Sequence, residues 1–314
     1  MYAVKKLNLN NTIFKSDCDD LILTLGKPRC RHLDHSDTKI EVISLDYTNM
    51  GHSHIDHFVQ SFTHVKNLKE IHIKGQNLVS ISKLFGKAFL GCKHLEFLDI
   101  TDNNIKLTDQ RCHDAIQDLI VNTRRLRVLV MNDCIINEEE SRNYLDALHM
   151  NSTIVQMKFQ NSNDLTNMTL RRFETEIQMN TLIDALILPS FDYEHPSQLD
   201  MSKKLVSSLE HVVKYLKCHP NIMDIDLSHN SLNDSHMKVL TEYITQKKRK
   251  LHGINLSYNH IGNEGAKEII DLFNKDAEIS NIDLSHNNIG SENFKTMMHS
   301  LRTNLVVRKL YLNE

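Results

Sequence analysis

Hydrophobic residues recur along this chain in an eleven-position phrase, apolar at positions one, four, six and eleven and carrying asparagine at position nine. The clearest copies are IMDIDLSHNSL from Ile222, LHGINLSYNHI from Leu251 and ISNIDLSHNNI from Ile279. Alternation over the first six positions predicts a short strand, because successive side chains of a strand point to opposite faces. The period then changes. Ala266, Ile269, Ile270 and Phe273 stand at i, i+3, i+4 and i+7, which predicts a helix opened by Gly262 and Asn263. Met237, Leu240 and Ile244 repeat the switch one copy earlier, and Phe294, Met297, Met298 and Leu301 one copy later.

Counting from the first apolar position, copies begin at Val4, Ile40, Leu68, Leu95, Leu126, Ile154, Ile183, Ile222, Leu251, Ile279 and Val307, most of them 27 to 31 residues apart. Strands repeat at about 4.8 Å and helices need roughly 10 Å, so a stack of such units bends with its strands inside. The expected fold is an α/β solenoid of ten to eleven repeats, a horseshoe with a concave parallel sheet and helices on the convex side. It is expected to fill residues 1–314 as a single domain, with enlarged copies around 26–39 and 189–202. The stretch from Pro189 to Asp200 holds two prolines and three acidic residues and is expected to project as a loop, serving either contact or mere tolerance of insertion. Lys27 to Lys39 is expected to form a second loop.

At position nine, Asn103, Asn230, Asn259 and Asn287 can bond the backbone groups left open where the strand turns away, and Cys134 takes the slot in its own copy. Thr12, Thr48, Gln76, Ser162 and Phe191 fill it elsewhere, so the C-terminal third is expected to be the most regular part.

Composition narrows the function. With 37 Lys and Arg against 40 Asp and Glu the formal charge is −3, which gives no general attraction to nucleic acid or to anionic membranes. No apolar run approaches the roughly 20 residues a membrane span requires, and MYAVKKLNLNN has two lysines with no apolar stretch behind them, so a soluble chain made without a secretion signal is expected. The six cysteines lack CxxC pairs and fit free thiols in a reducing, cytoplasmic compartment.

The phrase, its 28 to 29 residue period and NHIGNEGAKEIIDLF from Asn259 to Phe273 resemble the leucine-rich repeats of the ribonuclease-inhibitor-like class. That resemblance covers essentially the whole chain. It implies a non-catalytic scaffold that binds a partner protein on its concave face. The Asn, Ile, Lys and His usage and the absence of Trp look most like effectors of intracellular bacterial pathogens, which implies action in a host cytosol. The alternative implied by the same class is a regulator of a GTPase, as in activators of the Ran type. Those activators carry an acidic tail, whereas this chain ends VVRKLYLNE.

Positions three, five, seven and eight alternate with the inward ones and should face the partner. The candidate contact residues are Phe97, Asp99, Val128, Val130, Asp224, Asp226, His229, Tyr258, Asp283 and His286. The valines, Phe97, Ala185 and Ile187 would make an apolar patch rimmed by carboxylates. His229, Tyr258 and His286 hold one position in three successive copies and should form a row, read either as a partner grip or as ordinary filler of the phrase. Val307, Leu310 and Leu312 begin a last strand with no helix after it, so either the natural chain is expected to continue beyond Glu314 or the open edge is expected to be met by a second copy or a partner.

Nineteen histidines raise the question of a metal. His54 and His57 share an outward helical face, and Cys30, His32 and His35 lie together in a loop, but neither set reaches four ligands. Cys112 falls with Ala115, Ile116 and Leu119 on an inward helical face. No phosphate-binding loop, nucleophile elbow or zinc-hydrolase pair is present. Neither an enzyme, a metal nor a cofactor is expected.

Overall fold

The computed structural model describes residues 5–11, 40–48, 65, 67–75, 89–103, 110–134, 136–160, 165–187, 197–206, 208–247, 251–275 and 278–313. Chain contacts group into two compact units, Met1–Thr181 and Leu182–Glu314.

In the N-terminal unit, β1 (Lys6–Asn8), β2 (Val42–Ser44), β3 (Glu70–His72), β4 (Phe97–Asp99), β5 (Val128–Val130) and β6 (Gln156–Lys158) form one parallel six-stranded sheet in chain order. Among the described residues its helices are α1 (Gln110–Asn122) and α2 (Glu138–His149), and α3 (Asn167–Ile187) begins in this unit and ends past Thr181. Register follows the phrase: Ile43, Ile71, Leu98 and Leu129, all at position four, are mutual partners and each is 0% exposed. Leu45, Ile73, Ile100 and Met131 at position six are equally covered. Fully burying such a side chain contributes about 1.5–3 kcal/mol, and each must be covered by the neighbouring copy, so the stack rather than the single repeat is the stable object. Asn137 caps α2, accepting from the backbone N–H of Glu140 while the Glu140 carboxylate accepts from that of Asn137.

In the C-terminal unit, β7 (Gln198–Asp200), β8 (Asp224–Asp226), β9 (Leu251–Asn255), β10 (Ile279–Asp283) and β11 (Lys309–Tyr311) form a parallel five-stranded sheet, again in chain order. It is served by α4 (Leu209–Cys218), α5 (Asp234–Lys247), α6 (Asn263–Asn274) and α7 (Ser291–Leu301). Ala266, Ile269, Ile270 and Phe273 are buried along α6, as the 3.6-residue period demands. The chain is thus an α/β solenoid of stacked strand–turn–helix repeats.

One copy lies elsewhere than its pattern predicts. Ile183 does not open a strand, since Ile183 and Ile187 are buried positions of the 21-residue α3. In that segment Ile183, Leu186 and Leu188 match the first three apolar positions of the phrase, but the i, i+4 pair Ile183 and Ile187 obeys the helical period equally well. The strand of this copy is β7, inside the stretch expected to be a projecting loop, with Leu199 and Met201 turned inward at 1% and 0% exposure. Of that loop, residues 189–196 lie outside the described residues, as do Lys27–Lys39, His54, His57, Cys30, His32 and His35.

Candidate functional site

Each strand ends in a turn whose geometry repeats. The residue at position eight adopts a left-handed backbone in every copy where it is described: Asn11, Tyr47, Asp102, Asp133, Lys203, His229, Tyr258 and His286 have φ between 54° and 57°, and Gly75 has 60°. The turn is held by position nine. Asn230 Nδ2 donates to the carbonyls of Met201 (2.7 Å) and Ser228 (3.1 Å), while its Oδ1 accepts from the backbone N–H of Lys204 and Val206. Asn259 repeats this one copy on, donating to Leu227, Leu256 and Ser257 and accepting from Asn230 and Leu232. Asn287 donates to Leu256, Leu284 and Ser285 and accepts from Ile261. Asn103 donates to Ile73 and Ile100, and the Cys134 thiol reaches the Ile100 carbonyl at 3.9 Å. Thr48 uses its hydroxyl on Leu45. Thr12, Gln76, Ser162 and Phe191 lie outside the described residues.

These bonds fix the strand ends and leave positions three, five and eight free to vary. In the N-terminal unit the face largely satisfies itself. Asp99, 5% exposed, is paired with Lys74 at 2.9 Å, and that hydrogen bond holds the Lys74 ammonium above the ordinary lysine range. At position two Glu41 sits between Lys5 (3.0 Å) and Lys69 (3.3 Å), whose hydrogen bonds hold its carboxyl below the usual range. Val130 is buried at 5%, while Val128 and Phe97 are half-buried and the Phe97 ring lies on His72, centroids 4.8 Å apart. The expected central apolar patch is therefore narrower than the pattern implied. Ala185 and Ile187 belong to α3, Val130 and Asp99 offer little surface, and the Asp99 carboxylate is neutralised from within the chain.

The C-terminal unit differs. Its position-five row reads Asp200, Asp226, Asn255, Asp283 and Tyr311 across five paired strands. Oδ1 of Asp200, Asp226 and Asp283 each accepts, at 2.9 Å, the backbone N–H two residues on, from Ser202, Ser228 and Ser285. These residues line a shallow concavity of about 470 Å³ with Asp224 and Asn281. At Gly253 the Asp224 carboxylate takes the space a side chain would fill, since a Cβ there would stand 2.7 Å from Asp224 Oδ1. Asp224 in turn takes a hydrogen bond from His252 at 2.8 Å. Three residues beyond the row, the rings of His229, Tyr258 and His286 form a continuous stack, with centroids 4.2 and 4.0 Å apart and interplanar angles of 10° and 18°. Tyr258 is 47% exposed. The structure thus brings Asp224, Asp226, Asp283, His229, Tyr258 and His286 onto one face, and places Phe97, Asp99, Val128 and Val130 on the sheet of the other unit.

A family profile described as leucine rich repeat matches residues 91–108 and 247–269, which contain Asn103 and Asn259 with their strands. Together with the parallel strand–turn–helix stack and its asparagine staples, that decides the family. The chain is a leucine-rich-repeat protein. No curated protein matches its sequence at a significant level. Among solved structures it is similar to the leucine-rich repeat-containing protein LegL7 from Legionella pneumophila, at 12% identity over 97% of this chain and 89% of that one, TM-score 0.37. An internalin, InlF, from Listeria monocytogenes gives 14% identity over 88% and 82%, TM-score 0.27. Leiomodin-1 actin-binding site 2 gives 12% over 58% and 83%, TM-score 0.31.

Three features of the repeats escaped the sequence pattern. The left-handed turn at position eight has no single residue type to announce it. A second asparagine staple stands three residues before position one. Asn151 donates to the Ile120 carbonyl and accepts from Thr153 and Ile154, and Asn304 does the same with Phe273, Val306 and Val307. Asn-x-x-apolar ahead of a copy was the signal. The alternation Lys5, Glu41, Lys69 along position two is also visible once copies are aligned. Among the described residues no group of three or more His, Cys, Asp or Glu is placed to hold a metal ion, and no helix is long and apolar enough to cross a membrane. Cys92, Cys134 and Cys218 are buried thiols outside any disulfide, and burial pushes the Cys92 and Cys134 thiols up to about 12.

Proposed function

We propose that this leucine-rich-repeat protein is a non-catalytic scaffold that binds a partner protein on the sheet face of its C-terminal unit. The observation that carries the reading is the exposed ring stack of His229, Tyr258 and His286 flanking an open concavity. Aromatic side chains left in water beside a shaped polar floor offer contact area at low entropic cost, the usual make-up of an anchor region. The broad opening favours a macromolecular surface over a small substrate, which a closed, dry site would serve better. The setting we propose is cytosolic, that of the producing cell or of a host, and the buried thiols outside any disulfide support it.

The test is site-specific crosslinking. A photoreactive benzoylphenylalanine replaces Tyr258 in one variant and Lys267, on the outside of α6, in another, and both are exposed to lysate of candidate host cells. A discrete protein crosslinked through position 258 and not through 267 supports the reading. Equal or exclusive capture through 267 refutes it.

A further inference from the structure

We infer that the occupant of this face is an extended, arginine- or lysine-bearing segment of the partner, an inference that rests on the docking reading above and adds its chemistry. The argument is charge complementarity. In the N-terminal unit lysines of the chain itself pair with two of the carboxylates on or beside the sheet face, Lys74 with Asp99 and both Lys5 and Lys69 with Glu41, while Glu70 has only His72 among the described residues. The C-terminal face has no such lysine pairs. Among the described residues no Lys or Arg lies within ion-pair distance of Asp200, Asp226 or Asp283, and Asp224 has His252 alone. The lysines at outward positions, Lys203 and Lys309, stand in the first and last copies and leave the centre acidic.

The geometry states which atoms remain. Oδ1 of each row-five aspartate is engaged by its turn, and Asp226 Oδ2 also accepts from Asn255 Nδ2 at 3.0 Å, whereas Oδ2 of Asp200 and of Asp283 has no partner among the described residues. Neighbouring strands put Asp200 and Asp226 about 5 Å apart and Asp226 and Asp283 about 10 Å apart. In an extended chain crossing the strands, side chains on one face recur every ~7 Å, so cations two residues apart reach successive carboxylates. The stacked rings give the aliphatic stems of Arg or Lys a flat wall. Paired charge here governs association rate and partner choice more than total affinity.

The test uses the full chain and a fluorescein-labelled nonapeptide alternating arginine with serine, read by fluorescence anisotropy. The comparison is between D226N/D283N and the charge-matched D271N/E292Q, which makes the same change on the helices. Asparagine keeps the oxygen that accepts the turn N–H, and Asn255 already occupies the same row, so the face variant folds. The expected result is at least tenfold weaker binding for D226N/D283N and less than twofold for D271N/E292Q, with affinity falling as salt rises. No binding by the unaltered chain up to 1 mM peptide, or equal weakening in both variants, overturns the inference. If the peptide fails while a partner still crosslinks through position 258, only the chemistry assigned to the partner falls.

Discussion

Replacing Asn259 by alanine should be the most damaging single change to the position-nine ladder. Its side chain is 4% exposed and makes five hydrogen bonds, donating to the carbonyls of Leu227, Leu256 and Ser257 and accepting from the backbone N–H of Asn230 and Leu232. Removal leaves two N–H groups without a partner in a turn that no strand bond can rescue. Each orphaned buried polar group costs about 1–3 kcal/mol, so the pair alone sets a range of roughly 2–6. Water entering the small vacated space offsets part of this, and a loss of about 3 kcal/mol is expected. Asn287→Ala, which orphans only the Ile261 N–H at a half-buried position, should cost about half as much. Urea unfolding followed by circular dichroism gives the stability change. Hydrogen exchange of the Asn230 and Leu232 amides locates it. Asn259→Asp separates the halves of the staple, because it keeps the acceptor for those amides while setting a carboxylate against three carbonyls. A loss below 1 kcal/mol in Asn259→Ala, or unaltered protection of the two amides, would refute the reasoning.

Four further outcomes are expected. Cys134→Asn should raise stability by about 1 kcal/mol, because an amide can donate to the Ile100 carbonyl, which the thiol reaches only at 3.9 Å; unfolding midpoints check this. With their thiols pushed up to about 12, Cys92 and Cys134 should resist iodoacetamide at pH 8 in the folded chain and react once urea unfolds it, as mass spectrometry reads. The Lys74–Asp99 pair should add stability that is fully present below the unfolded lysine value near 10.5 and is lost as pH rises through the higher folded value. Wild type should therefore lose more stability between pH 9.5 and 11.5 than Lys74→Gln, in matched denaturation series. Finally, the chain should not accelerate single-turnover GTP hydrolysis by any of a panel of G proteins, and acceleration of even one would favour the GTPase-regulating alternative over a passive binder.

What the sequence made legible follows the division of labour inside one repeat. Positions one, four and six are read from two neighbours at once, through the strand pair and the helix beneath, so only apolar residues serve and the pattern survives in copy after copy, down to Leu199 and Met201. The same restriction misled where a helix met it by coincidence, since the segment from Ile183 supplies the apolar spacing at 3.6 residues per turn. The true strand hid because Pro196 and Lys204 stand at positions one and nine of its copy. Asn230 of the next repeat accepts from the Lys204 N–H, so that turn is held from one side without an asparagine of its own. The acidic row was readable residue by residue. Its lack of internal cations was not, because Lys74 pairs with an aspartate 25 positions away in the chain, a relation only the stacking creates.

The left-handed turn shows how far strain can be read as function here. A side chain in that conformation costs roughly 1–2 kcal/mol outside Gly, Asn and Asp, and backbone outliers often mark sites of action. Yet all nine described turns share it, so the strain belongs to the repeat and says nothing about any one copy. What differs between copies is the residue placed there. Asn11, Asp102 and Asp133 are types that tolerate the conformation, whereas Tyr258 is not, and neither is Tyr47, whose ring lies over the bare Gly75 of the following copy. In the C-terminal unit the cost at Tyr258 is offset by two stacked contacts, each worth about 0.5–1.5 kcal/mol for aromatic pairs. The stack therefore stabilises its own unfavourable backbone and remains half in water. Tyr258→Asn should then leave stability within about 1 kcal/mol of wild type, trading ring contacts for relief at the backbone, while removing the flat wall beside the acidic row. A crosslinked partner that binds Tyr258→Asn as well as wild type would show that the wall is an incident of the turn and takes no part in docking.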